Sequence, residues 1–143
     1  MTGMWTIVAL MMTKGMYPNG VNAINIREDD ELLEAILTNG RCNIMIAAHG
    51  GRCVRFDEQQ ARPLGRTSTG VRGINLDEGD YVIGVVCQDP QAEGALDRQV
   101  LVVSEHGFGK RSDPMEYRQT ARGAKGVRTL NITEKTGALV AIK

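Results

Sequence analysis

Three stretches of this chain are copies of one pattern, and that repetition limits the fold more than any local propensity does. GVNAINIREDDELLEAIL begins at Gly20, GVRGINLDEGDYVIGVVC at Gly70 and GVRTLNITEKTGALVAI at Gly126. Each reads Gly-Val, two residues, Ile or Leu, Asn, Ile or Leu, a polar turn and an apolar run. A second element recurs as well. IMIAAHGGRCVRF (44–56) matches VLVVSEHGFGKRS (100–112), with Gly51 over Gly107 and Arg55 over Arg111. The offset is 56 residues from Gly51 to Gly107 and from Gly70 to Gly126, but 50 from Gly20 to Gly70. The polar stretch QDPQAEGALDR (88–98) takes up the six extra residues as a loop insertion.

Each unit reads as four strands. In the second unit these are Val71–Leu76, Tyr81–Cys87, Gln99–Ser104 and Phe108–Ser112, with the acidic turn DEGD between the first two. Alternating or continuous β-branched runs bounded by Gly, Asp and Asn favour strands over helices. DDELLEAIL (29–37) has the composition of a short helix, but its counterparts YVIGVV and ALVAI are strand-like, so a strand is expected there too. Four strands in 50–56 residues is the size of a propeller blade. The expected fold is therefore all-β, a partial β-propeller of four-stranded blades with fewer than three units.

The units divide the chain into an incomplete first part (1–19), a repeat at 20–69, a second at 70–125 carrying the 88–98 insertion, and the start of another at 126–143. Gly51 and Gly70 are 19 residues apart, as are Gly107 and Gly126, whereas Gly15 and Gly20 are five apart, a shortfall of 14. A closed ring of typically 4–8 blades cannot be built from this length, so the chain is expected to be a piece or a truncated relative of a larger propeller. Such a piece exposes open strand edges, which suggests self-association through them.

Composition adds limits. Cys42, Cys53 and Cys87 form no CxxC pair, which fits buried reduced thiols and not a secreted disulfide framework. The apolar run WTIVALMM (5–12) is too short for a membrane span and lacks the flanks of a signal peptide; it reads as a strand. Formal net charge is zero, but its distribution is uneven. Residues 52–72 hold five basic side chains against two acidic, and residues 110–128 hold six against two, net charges of +3 and +4. REDDELLE (27–34) and LDEGD (76–80) carry −4 and −3.

Positive charge thus falls on the fourth strand and the link into the next unit, negative charge on the first hairpin turn. If blades succeed one another, the cations form a band around the rim suited to a bent polyanion. The candidates for phosphate contact are Arg55, Arg62, Arg66, Arg72, Lys110, Arg111, Arg118, Arg122, Lys125 and Arg128. Small residues in RGAKG let a phosphate backbone approach the main chain, whose N–H groups are further donors. The competing reading is a set of solvated charges on ordinary loops.

Other chemistries fit poorly. RGAKG lacks the spacing and following helix of a phosphate-binding P-loop. His49 and Cys53, with His106 on the matching turn, lack a third and fourth metal ligand nearby, and hairpin-tip histidines are more simply surface groups. Asp77, Glu78 and Asp80 do not follow an EF-hand pattern.

GRTSTGVRGINLDEGDYVIGV (65–85), HGFGKRSDPMEYR (106–118) and RGAKGVRTLNITEKTG (122–137) closely resemble the C-terminal domain of the DNA gyrase A subunit, with the related subunit of topoisomerase IV as its near relative. The resemblance covers about residues 19–143. It implies a β-pinwheel whose blades exchange outer strands and which wraps double-stranded DNA on a basic rim, supporting ATP-dependent negative supercoiling. It also implies a bacterial, cytoplasmic, nucleoid-associated protein whose partners are the remainder of the A subunit and the B subunit. The cleavage core, the ATPase and their ATP and Mg²⁺ would lie elsewhere, leaving this chain without cofactor or catalytic residue; none of Tyr17, Tyr81 and Tyr117 has the surroundings of a DNA-cleaving tyrosine. The family's wrapping box, Gln-Arg-Arg-Gly-Gly-Lys-Gly, falls on TARGAKG, where Arg122, Gly123, Lys125 and Gly126 match while Thr120, Ala121 and Ala124 differ. The preceding unit's LGRTSTG keeps Arg66 and Gly70. Two further readings are a topoisomerase IV-type domain and a propeller piece used for protein contact.

Overall fold

The computed structural model describes Thr6, Ile7, Gly20 and residues 22–143. Their regular structure is β-strand with three single-turn 3₁₀ segments, and no α-helix is present among them. Strand β1 is Thr6–Ile7, β2 Asn43–Ala48, β3 Arg52–Asp57, β4 Val71–Arg72 and β5 Val82–Gln88. Then come β6 Val100–Ser104, β7 Gly109–Ser112, β8 Val127–Arg128 and β9 Leu139–Ile142. Within the second unit the expected second, third and fourth strands are present to within a residue at each end. The first is shorter than expected, since only Val71–Arg72 is laddered. Of the strand expected over 5–12, the described part is β1, which pairs antiparallel with β4. The shortened connection at 15–19 lies outside the described residues.

The sheets do not follow the units. Besides the two-stranded β1–β4 sheet, one larger sheet has the order β5-β2-β3-β8 and the other β7-β6-β9, all pairs antiparallel. The first unit supplies the β2–β3 hairpin, the second lends β5 to its inner edge and the third lends β8 to its outer edge. The second sheet repeats the scheme, with the β6–β7 hairpin of unit two and β9 of unit three. A strand paired on one edge by the following unit cannot be removed without opening the preceding one.

β2 is buried along its whole length because it has a core on each face. Period-two alternation sends Cys42, Ile44, Ile46 and Ala48 to one side, where they meet Val54, Phe56, Ile74 and Val82. Met45 and Ala47 point the other way, into a second core with Cys53, Val100, Val102, Tyr117, Leu139 and Ile142. That second core takes residues from all three units, which is why the apolar run IMIAA (44–48) is continuous rather than alternating. The two sheets approach closely at Gly84, where a Cβ would lie 2.9 Å from Cγ2 of Ile142. Cys42 and Cys53 are buried and Cys87 half-buried, all as free thiols, and burial pushes Cys53 and Cys87 up to about 12.

The strand expected over 29–37 is absent, and no helix replaces it. Its counterparts are strands because each lies against a neighbour, β5 on β2 and β9 on β6. No strand lies beside 29–37 among the described residues, and Leu32, Leu33, Ile36 and Leu37 are exposed there. The 88–98 insertion is a loop with one 3₁₀ turn at Ala95–Asp97. Asp89 holds it to the first unit by accepting from Asn39 Nδ2 at 2.7 Å and pairing with Arg41 at 2.9 Å. Among the described residues no helix is long and apolar enough to cross a membrane.

Gly126 is the tightest point of the strand exchange. Its φ is +75°, and a Cβ there would lie 2.2 Å from the Cys53 carbonyl oxygen. Gly79 has the same φ of +75° with nothing within 4 Å. Gly126→Ala should therefore lower the unfolding free energy by about 3 kcal/mol or more, from strain plus a backbone clash. Gly79→Ala should lower it by about 1 kcal/mol, from conformation alone. Urea unfolding of the two variants measures the difference.

Candidate nucleic-acid interface

The link from unit two into unit three runs back across unit one before β8 begins, and this path decides what its cations do. After the 3₁₀ turn Pro114–Glu116, capped by Asp113, residue Gln119 bridges in parallel to Arg55, and Thr120 N donates to the Arg55 carbonyl at 2.8 Å. The chain then passes over Gln60 and residues 72–75. Arg122 N donates to Gln60 Oε1 at 2.7 Å, Gly123 N to the Gly73 carbonyl at 2.8 Å, and Ala124 accepts from Asn75 N at 2.9 Å. The equivalent contact one unit earlier, Asn25 N to the Ser68 carbonyl, is 3.0 Å long, so the repeat holds down to single hydrogen bonds.

Arg55 is not on this surface. Its side chain points from β3 toward the second core and is buried, with Nη1 donating to the carbonyls of Tyr117 at 3.1 Å and Pro114 at 3.4 Å. Met115 Sδ lies 3.4 Å from Nη2. The expected phosphate contact at Arg55 is thus corrected to an internal lock on the next unit's turn. Tyr117 itself is buried, its hydroxyl hydrogen-bonded to Thr129. Arg122, half-buried, also acts as a staple, Nε donating to the Gln60 carbonyl at 3.0 Å and Nη1 to the Arg72 carbonyl at 2.6 Å.

The main-chain donors expected of RGAKG are in part spoken for, because the N–H groups of Arg122, Gly123 and Ala124 are all bonded within the protein. The separation of charge by position also needs correction. Asp77, in the acidic turn of unit two, meets Lys125 of the box at 2.5 Å and has Arg52 Nε at 3.9 Å. The hydrogen bond and charge of Lys125 hold the Asp77 carboxyl below its usual range. That lowered value means the pair is intact at neutral pH and is lost as pH falls through it.

What gathers along the link is a group of five cations. Arg52 and Arg128 are register partners across β3 and β8, and Arg52 Nη1 also reaches the Gly126 carbonyl at 3.4 Å. Lys125 adjoins Arg52 through Asp77, and Arg122 grips Arg72. Arg72, Lys125 and Arg128 are exposed. Arg52 was not among the candidates drawn from the sequence. Only the β3–β8 pairing, which joins residues more than 70 apart, reveals it. Arg66 holds in the preceding link the position Arg122 holds in this one, and is exposed, as are Arg62 and Arg118. Lys110 and Arg111 are exposed on β7, in the other sheet.

The remaining candidates are engaged structurally. His49 stacks on Tyr81 with centroids 4.5 Å apart, and its Nδ1 lies 2.9 Å from the Leu139 carbonyl, so it is more than a surface group. Asp80 Oδ1 accepts from Gly50 N at 2.8 Å. Among the described residues no three His, Cys, Asp or Glu side chains converge as metal ligands.

A family model described as "DNA gyrase C-terminal domain, beta-propeller" matches residues 16–39, 43–89 and 98–143, which is most of the chain. The chain belongs to the DNA gyrase A C-terminal domain family. The gyrase A subunit of Staphylococcus epidermidis is 48% identical over 124 residues, and so is that of Staphylococcus aureus. In the former case the match covers 87% of this chain and 13% of the relative, so the chain spans about an eighth of that protein's length. In structure, the C-terminal domain of DNA topoisomerase IV matches with a TM-score of 0.74 and 25% identity over 85% of this chain and 36% of that one. A gyrase A C-terminal domain matches with a TM-score of 0.73 over 89% of this chain and 42% of that one, and its 24% identity speaks to the fold alone. The gap in the family match between residues 89 and 98 falls on the insertion loop.

The structure separates the buried Arg55 from the exposed arginines of the chain. Arg55→Ala leaves two carbonyls unpaired and a hole at the second core, and should cost about 3 kcal/mol of stability. Arg118→Ala, on an exposed side chain, should change stability by less than about 0.5 kcal/mol. Chemical denaturation of both variants checks the contrast.

Proposed function

We propose that this chain is a DNA-wrapping module of the A subunit of a bacterial DNA gyrase. It binds duplex DNA without regard to sequence along the link segments between blades. The observation that carries this reading is the gathering of Arg52, Arg72, Arg122, Lys125 and Arg128 along one exchanged segment of a gyrase-family blade. Cations dispersed along a main-chain ridge suit a phosphate backbone, where affinity comes from counterion release and not from base edges. Repeat symmetry adds Arg66 one link earlier, so a curved duplex meets the same chemistry at successive blades. In this role the module has no reacting group of its own and needs no cofactor. DNA cleavage and ATP hydrolysis, with Mg²⁺, belong to the rest of the A subunit and to the B subunit, and the wrap supports negative supercoiling at the nucleoid.

A second reading, a blade used only for protein contact, draws support from Arg55, Arg122 and Lys125 being bonded within the protein. Salt titration separates the two. With about five phosphate contacts, log K for duplex DNA should fall against log salt with a slope of about −4 to −5. A flat response, or no binding at low salt, would favour protein contact. Lys125→Ala and Arg128→Ala should each weaken binding to unrelated sequences equally and reduce the slope by about 0.9. Asp77→Asn should strengthen binding by releasing Lys125, and fluorescence anisotropy reads all three variants.

A further inference from the structure

The link from unit one into unit two crosses the unit-one turn as the next link crosses the Asp77 turn, yet the charges at the two crossings sit in exchanged places. In unit two Asp80 N donates to the Asp77 carbonyl at 3.1 Å and Tyr81 N to Asp80 Oδ1 at 2.9 Å. In unit one Asp30 N donates to the Arg27 carbonyl at 3.1 Å and Glu31 N to Asp30 Oδ1 at 2.9 Å. Arg27 therefore holds the place of Asp77. Each link is fixed over its turn by one matching bond, Asn25 N to the Ser68 carbonyl and Asn75 N to the Ala124 carbonyl, so Thr69 holds the place of Lys125. Arg27 and Thr69 line one small hollow, as that equivalence requires. The pairing of β1 with β4 repeats that of β3 with β8, setting Thr6 opposite Arg72 where Arg52 stands opposite Arg128.

Two cations are thus missing from the first crossing, with Thr6 for Arg52 and Thr69 for Lys125, while a carboxylate has become a guanidinium. The second crossing holds Arg52, Arg122, Lys125 and Arg128 against Asp77, a net charge of +3. At the same five places the first holds Arg27, Arg66 and Arg72 with no carboxylate, again +3. Arg27 is exposed, and among the described residues no hydrogen bond or ion pair engages its side chain. It is the single cation of the acidic stretch 27–34, and without it that turn would repel the duplex its link attracts. We propose that Arg27 is a phosphate contact of the first crossing, supplied by the turn instead of the link. This rests on the DNA-binding reading above and adds to it a residue outside the wrapping box. A duplex passing from one crossing to the next meets the same net charge at each, so sequence-independent attraction is kept along its path.

Fluorescence anisotropy with one duplex over a range of salt tests the assignment. Arg27→Ala should weaken binding about tenfold at low salt and reduce the slope by about 0.9, as expected for Lys125→Ala, whereas Arg27→Lys should retain both. Arg98→Ala removes the same charge from the exposed insertion loop and should leave the slope unchanged. Arg27→Asp should weaken binding more than Arg27→Ala does. Adding Thr69→Lys to Arg27→Asp rebuilds the second crossing's pair at the first and should bring binding back to near the Arg27→Ala level. The proposal is overturned if Arg27→Ala binds like the unaltered chain while Lys125→Ala does not, a result that leaves the wrapping reading standing. Equal losses in Arg27→Ala and Arg98→Ala also overturn it, since net charge alone would then set the affinity. Absence of binding by the unaltered chain at low salt overturns the wrapping reading and this contact with it.

Discussion

Main chain laid against main chain holds this fold together. The outer edge of β3 is an unpaired row of donors and acceptors until residues 119–129, from the end of unit two and the start of unit three, cross it. The crossing demands that two backbones nearly touch. Gly126 is therefore confined to glycine by a carbonyl on the opposite strand, and Gly51 by Leu130 and Ile132 of the arriving segment. Everything downstream follows from that contact: Thr129 is placed to bond Tyr117, Tyr117 closes the second core, and Arg55 is buried beneath the turn that carries Tyr117. Stability in such an array is shared between neighbours rather than owned by a unit.

The same crossing arranges the charge. A link free in solvent would hold its cations at random, whereas here each is placed by a named contact, Arg122 on the carbonyls of Gln60 and Arg72, Lys125 on Asp77, Arg128 opposite Arg52. A phosphate arriving at Lys125 competes with a carboxylate already there. Because that pair is exposed, it is weak and screened by salt, and displacing it costs little. Internal pairing and DNA binding are thus compatible at Lys125 but not at Arg55, where a buried guanidinium cannot leave its carbonyls without opening the core.

The repeat itself was legible in the residues, because offsets of 50 and 56 survive into the hydrogen bonds of Asn25 and Asn75. Strand type was legible wherever a run of β-branched residues was long, as at 82–88 and 100–104. Two features were not. The exchange of strands joins Cys53 to Val127, and no local periodicity encodes a partner that far along the chain. The state of 29–37 depends on whether a strand lies beside it, and its own side chains do not decide that. Arg55 and Arg111 make the point most sharply: arginine is usually exposed, and the covering residues lie in the following unit. Arg52 was missed for the same reason, since only pairing with β8 brings it to Arg128.

A duplex bound along the exchanged segment, and not along the hairpin edges, would shield a defined set of cations. Arginine and lysine modification, read by mass spectrometry with and without duplex DNA at low salt, tests this side chain by side chain. DNA should slow modification of Arg72, Lys125 and Arg128, leave Lys110 and Arg111 at their free rates, and not affect Arg55, which should be unreactive throughout. Equal protection of Lys110 and Arg111, with none at Arg128, would contradict that placement.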